Sequence, residues 1–248
     1  MKTLNPSPAA AQYIYAPMAS ACRKVPGIIF FIVFFLCSCR KDLGPQVYQV
    51  ADAAESKQRF ISGKPNIILI VMNDFGFEVP TYNGGQSYST PELDRIDANG
   101  MFFQQAYNHP DGTPSRLAIL TGEYNFRNYS KWGQLPWQDK TIGNMLHDAG
   151  YATCWAGKWQ LSGADKRIRA AGFDNYLVYL PSGYDQRSRR YKSPLLYQNA
   201  AYLPDSVTNG KFSEDLLYNY LANFIDSNKN NSFFAVYATL LPAQPKRE

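Results

Sequence analysis

The sequence predicts an α/β domain: a doubly wound, mostly parallel sheet with helices on both faces. Three observations carry this. The runs Ile67–Met72 and Ser232–Leu240 are apolar with no polar alternation, as strands buried on both faces of a parallel sheet are. Between them, segments with apolar residues at helical spacing alternate with short strand-like runs. Two polar turns, after Met72 and after Ala156, stand at carboxyl ends of predicted strands, where ligands gather in such sheets.

The elements follow in order. Lys64-Pro65-Asn66 leads into the first strand, which stops at Asn73-Asp74-Phe75-Gly76. Thr90 as N-cap and Pro91 at the first helical position open a helix that Asn99-Gly100 closes. A strand is expected over Met101–Ala106. Pro114 starts a helix carrying Leu117, Ile119 and Leu120 that ends near Gly122. Thr141–Ala149 places Ile142, Met145 and Leu146 on one face and stops at Gly150, and a strand over Tyr151–Ala156 comes next. From Gly163 to Asn209 the chain is basic and tyrosine-rich (Lys166, Arg167, Arg169, Arg187, Arg189, Arg190), which reads as an elaborated loop region on the sheet rim. Phe212 to Ile225 is an amphipathic helix with Leu216, Leu217, Tyr220, Leu221 and Phe224 at helical spacing, before the final strand.

Charge and cysteine belong mostly to the leader. Of 248 residues, 45% are hydrophobic and 18% charged, an ordinary globular balance. The net charge is +5, but the first 38 residues hold Lys2, Arg23 and Lys24 and no acid, leaving +2 on the remaining 210. A nucleic-acid partner is therefore not indicated. Cys22, Cys37 and Cys39 lie in or beside the leader and only Cys154 in the body, which excludes a disulfide framework and a cysteine-built zinc site. His109 and His147 are too few for a histidine-rich metal centre.

Val25–Cys37 is an apolar run shorter than the ~20 residues a membrane-crossing helix needs. It has the size of a signal-peptide core. Leu36-Cys37-Ser38-Cys39 resembles a bacterial lipobox, in which cleavage before Cys39 leaves a lipid-anchored chain. The expected organisation is a lipoprotein signal peptide over 1–38, a polar tether over 39–60 and a catalytic-type domain over 61–248. The expected location is the cell envelope, at the periplasmic or outer-membrane surface. Met18 also begins a compact basic leader, so the first 17 residues could precede the true start.

Five landmarks in order identify a family. They are Lys64-Pro65-Asn66-Ile67-Ile68 into Asn73-Asp74-Phe75-Gly76; Thr90-Pro91-Glu92-Leu93-Asp94-Arg95; Gly112-Thr113-Pro114-Ser115-Arg116 on to Leu120-Thr121-Gly122; Gly150-Tyr151-Ala152-Thr153 to Gly157-Lys158-Trp159; and the helix and strand ending Phe233-Phe234-Ala235. Together they resemble the sulfatase family of the alkaline phosphatase superfamily, from Lys64 to the last residue. The resemblance implies hydrolysis of sulfate esters, on sulfated glycans, with calcium and a formylglycine nucleophile. It also implies a longer protein: the chain reads as about half of its family, a truncated fold whose later metal-binding Asp/Asn pair falls beyond Glu248.

The chain departs from the family pattern at four chemical positions. The residue oxidised to formylglycine is Gly112, and an aldehyde on Cβ cannot be made where there is no Cβ. The paired metal aspartates read Asn73-Asp74, so one carboxylate is a neutral amide, and two ligands of low charge hold a divalent ion poorly. The Gly-Lys-Trp-His motif reads Gly157-Lys158-Trp159-Gln160, and Gln160 cannot give a proton to a leaving alkoxide near neutral pH. The late Pro-His reads Pro242-Ala243. His109 and His147 stand off the motif positions, His147 on the polar side of its helix.

An anion-friendly geometry survives. Gly112 and Thr113 precede the helix from Pro114, and Arg116 and Lys158 add charge for a sulfate or phosphate ester. The alternative is that Arg116 pairs with a carboxylate such as Asp74. Related phosphotransferases use a threonine at the helix start, but Thr113 is one residue away, about 100° round and ~1.5 Å along the axis. Four readings stay open: an impaired or inactive sulfatase, a non-catalytic lipoprotein that binds sulfated glycan through Arg116, Lys158 and the rim arginines, a fragment of a longer sulfatase, and a Thr113 phosphoester enzyme.

Overall fold

The computed structural model describes residues 63–128, 131–137, 139–182 and 189–242. The expected signal peptide, Cys39, the tether, Arg187 and Ala243 lie outside the described residues. In chain order the elements are β1 (Ile67–Asn73), α1 (Pro91–Asn99), α2 (Gly112–Thr121), α3 (Asn125–Asn128), α4 (Ile142–Asp148), β2 (Ala152–Lys158), α5 (Ala164–Ala170), β3 (Asn175–Tyr179), β4 (Leu196–Gln198), β5 (Ala201–Tyr202), α6 (Asp205–Thr208), α7 (Ser213–Asn228) and β6 (Phe233–Pro242).

The sheet order is β1-β6-β2-β3-β4-β5. The first four strands are parallel, with Ile67 opposite Phe234, Ala152 opposite Phe233 and Cys154 opposite Asn175. β4 and β5 add an antiparallel edge. Because strand side chains alternate, Trp155, Phe234, Val236 and Ala238 face one side, where Leu117 and Leu120 of α2, Ile142 and Leu146 of α4 and Ile168 of α5 pack on them. Cys154, Ala156, Phe233 and Ala235 face the other and meet Leu221 and Phe224 of α7. Helices therefore cover both faces, as the sequence predicts, and each buried Leu or Phe stabilises the fold by about 1.5–3 kcal/mol.

The predicted stops hold for physical reasons. Gly122 closes α2 in the left-handed region at φ 69°. Thr141 and Asn144 form a reciprocal capping box at the start of α4. Thr90 precedes α1 as expected, yet its hydroxyl makes no capping bond; it contacts Asp94 Oδ1 at 3.2 Å and the Thr81 hydroxyl at 2.9 Å.

Three expectations are corrected. Met101–Ala106 is not a strand: no neighbouring strand offers it a ladder, and Phe102 instead packs edge-on to Tyr82, with ring centres 5.7 Å apart. Gly163–Asn209 is not a loop region, because it contributes α5, α6 and β3–β5 and buries Ile168, Phe173, Tyr176 and Val178. Three of its arginines are engaged: Arg167 stacks 3.5 Å over Trp137, Arg169 pairs with Asp165 at 3.0 Å and Arg189 with Asp205 at 2.6 Å. β1 is buried on one face only, since α7 covers β2 and β6 and leaves Ile68 and Ile70 at 49% and 50% exposure.

Candidate anion-binding site

Carboxyl ends of parallel strands and the N-terminus of α2 converge on one pocket of about 360 Å³. Asn73 reaches it from the end of β1 and Lys158 from the end of β2, while Gly112 and Arg116 come from the first turn of α2. Asp74 lines it too. Thr113 and Gln160 are not in its wall; they stand behind Arg116.

Arg116 is 4% exposed and its guanidinium is pinned. Nε donates to the Trp159 carbonyl at 2.9 Å, and Nη2 donates to Gln160 Oε1 at 2.9 Å and Thr113 Oγ1 at 3.2 Å. These partners are all uncharged, so the expected alternative of an Arg116–Asp74 pair is not what the structure shows. Burial pushes the guanidinium down to about 10, with Asp111 opposing through space. Gln160 thus acts as a prop: its backbone sits at φ 49° and its amide oxygen holds Arg116 in place. Thr113 is 2% exposed and spends its hydroxyl on the same guanidinium.

Lys158 Nζ donates to Asn73 Oδ1 at 2.9 Å. Burial, then repulsion from Arg116 and Arg190, pushes the ammonium down to about 8, against attraction from Asp74 and Asp111. Two cations are therefore held side by side in a half-dry pocket with no bonded carboxylate, which is how a protein prepares for an anion. Gly157 permits this approach of the strands. Its φ is 108°, and a Cβ there would stand 1.9 Å from the Ala238 carbonyl.

Gly112 carries no strain; its lack of a Cβ matters through space. A Cβ would lie 3.1 Å from Arg116 Nη1, 3.8 Å from Asn73 Oδ1 and 3.9 Å from Lys158 Nζ. The position that bears the nucleophile in the resembled family is thus aimed at the cations and is empty of side chain.

The residues do not fit a divalent cation. Asn73 offers its oxygen to Lys158, and its buried Nδ2 has no hydrogen-bond partner. Asp74 is a single exposed carboxylate, and among the described residues no three His, Cys, Asp or Glu side chains converge. Calcium takes about 6–8 oxygen ligands, and here the oxygen of Asn73 is already taken by an ammonium.

The sequence missed the polar wall residues Asn108, His109, Ser115 and Thr239. Ser115 Oγ donates to the His109 and Asp111 carbonyls at 3.0 and 2.9 Å, which folds the approach loop back onto α2 and sets His109 in the wall. The place of Ser115 three residues after Gly112 was the available signal. His147 is remote and on the surface, 3.2 Å from Asp174.

The sequence model of the family described as Sulfatase matches residues 65–245. The chain is 38% identical over 145 residues to an N-acetylgalactosamine-6-O-sulfatase of Bacteroides thetaiotaomicron, covering 50% of this chain and 28% of that one. It is 28% identical over 184 residues to an N-acetylglucosamine-6-O-sulfatase of the same organism, covering 72% and 31%. It superposes on the crystal structure of Ps i-CgsB in complex with k-i-k-neocarrahexaose with a TM-score of 0.65 at 27% identity, covering 74% of this chain and 46% of that one. The matched part is under a third of these two curated relatives and under half of the solved structure.

Proposed function

This chain belongs to the sulfatase family, and from that premise we propose that it recognises sulfate esters of carbohydrates without hydrolysing them. One observation carries the reading: Arg116 and Lys158 still converge on the nucleophile position, and that position is a glycine. Recognition needs donors and positive charge, which are present. Hydrolysis needs an attacking group and a proton for the leaving alkoxide, and Gly112 and Gln160 supply neither. Thr113 is a weaker candidate for attack, because its hydroxyl is buried against Arg116 and off the pocket wall. The names of the two curated relatives, both sulfatases of 6-sulfated amino sugars, support a sulfated glycan as the ligand class.

Cys39 anchors the chain by lipid at the cell envelope in this reading. Radiolabelled palmitate incorporation that disappears in Cys39→Ser is the expected result. The binding claim is tested on an array of matched sulfated and unsulfated glycans. Salt-sensitive binding confined to the sulfated members and lost in Arg116→Ala is expected; equal binding to both sets would refute it.

A further inference from the structure

Resting on that reading, we infer that the pocket takes the ester's oxyanion without a divalent cation, the Lys158 ammonium supplying positive charge there and holding the one accepting oxygen of Asn73. An amide side chain has one accepting end and one donating end. An ammonium can only donate, so the 2.9 Å contact from Lys158 assigns Oδ1 to Lys158 and leaves Nδ2 on the opposite side. Asn73 is 8% exposed, lies in the pocket wall, and its Nδ2 is buried without a partner. The Asn73 atom nearest the Gly112 position is that same Oδ1, at 3.8 Å, so the one oxygen Asn73 could offer a metal is already spent on an ammonium.

Arg116 presents a donor to the site. Its Nε and Nη2 are committed to Trp159, Gln160 and Thr113, which leaves Nη1 on the Gly112 side. Arg116 Nη1 and Lys158 Nζ lie 3.1 and 3.9 Å from the point where a Cβ of residue 112 would stand. The first-turn amides of α2, a helix of 10 residues, begin at the same place. A tetrahedral oxyanion seated there meets two cations and the positive end of a helix. A divalent cation seated there meets the same groups as repulsion, and Asp74 is the one carboxylate among the described residues that line the pocket.

Calorimetric titration of the full chain tests this, with N-acetylgalactosamine 6-sulfate and N-acetylgalactosamine 6-phosphate in parallel, each in EDTA and in excess calcium chloride. Whichever ester binds is expected to do so in EDTA, with an affinity within about twofold of that in calcium. Asn73→Asp is expected to weaken it at least about tenfold, because the new carboxylate neutralises Lys158 and faces the anion. Lys158→Met is expected to weaken it similarly, and carries the test where Asn73→Asp fails to fold. Binding that appears only with calcium, or Asn73→Asp binding as tightly as the parent, overturns the inference and leaves ester recognition standing. No binding of either ester under either condition overturns both.

Discussion

Lys158→Met should make the fold more stable at neutral pH relative to high pH, and the size follows from the charge that the substitution removes. The ammonium is pushed from the ordinary 10.5 to about 8 by burial first and by Arg116 and Arg190 after it, despite Asp74 and Asp111. At about 1.4 kcal/mol per pK unit, keeping it charged at pH 7 costs the folded state about 3 kcal/mol. Methionine keeps most of the stem's packing and removes that cost, while leaving Asn73 Oδ1 without its donor, a loss of about 1–3 kcal/mol. The two nearly offset each other at one pH, so a comparison of two is decisive. Between about pH 8 and 10.5 the unfolded chain binds this proton and the folded chain does not, so the parent's stability rises with pH across that window. The uncharged losses at Asn73 do not change with pH. Guanidinium denaturation of parent and variant at pH 7 and pH 10 should therefore show the parent gaining about 2–3 kcal/mol on the variant between the two. A gap that stays constant within about 0.5 kcal/mol would refute the placement of Lys158 as a buried, unneutralised cation.

Other positions test the surroundings of the site. Arg116→Lys keeps a charge but loses the planar fork that serves Trp159, Gln160 and Thr113, and a thermal melt should fall by several degrees for a loss of about 1–3 kcal/mol; an unchanged melt would show that the fork is not needed. Gly157→Ala drives a Cβ into the Ala238 carbonyl at a φ of 108° and should abolish the cooperative melt, whereas Gly210→Ala, at φ 73° with nothing within 4 Å, should cost only about 1–2 kcal/mol. Cys154 is fully buried and its thiol is pushed up to about 12, so a Cys22→Ser, Cys37→Ser, Cys39→Ser chain should react with Ellman's reagent at pH 8 only after denaturant is added.

The parts legible in the sequence are those decided locally. Gly122 and Gly150 end helices because only a residue without a Cβ turns there cheaply, and the Thr141–Asn144 box is spelled in adjacent residues. The unbroken run of β6 is central and is covered on both sides, as read. Its counterpart β1 is likewise an unbroken apolar run but stands at the sheet edge, and such a run carries no information on which strand is central. Met101–Ala106 has strand-forming residues and lacks a partner strand. The basic stretch after Gly163 reads as a rim loop region because its arginines find Trp137, Asp165 and Asp205 only in the fold. At the site, the family resemblance of the motifs around Gly112, Arg116 and Lys158 supplied the cations and the missing nucleophile. The orientation of the Asn73 amide could not be read, since a lysine 85 residues away determines it. Gln160 appeared as a loss of chemistry, and the structure shows what it does instead, which is to hold Arg116.

Inorganic sulfate release from N-acetylgalactosamine 6-sulfate, by the full chain coexpressed with a formylglycine-generating enzyme, tests the central claim most directly. Release no faster than the protein-free rate is expected, because Gly112 cannot carry the aldehyde. Turnover that is present in the parent and vanishes in Arg116→Ala would contradict it.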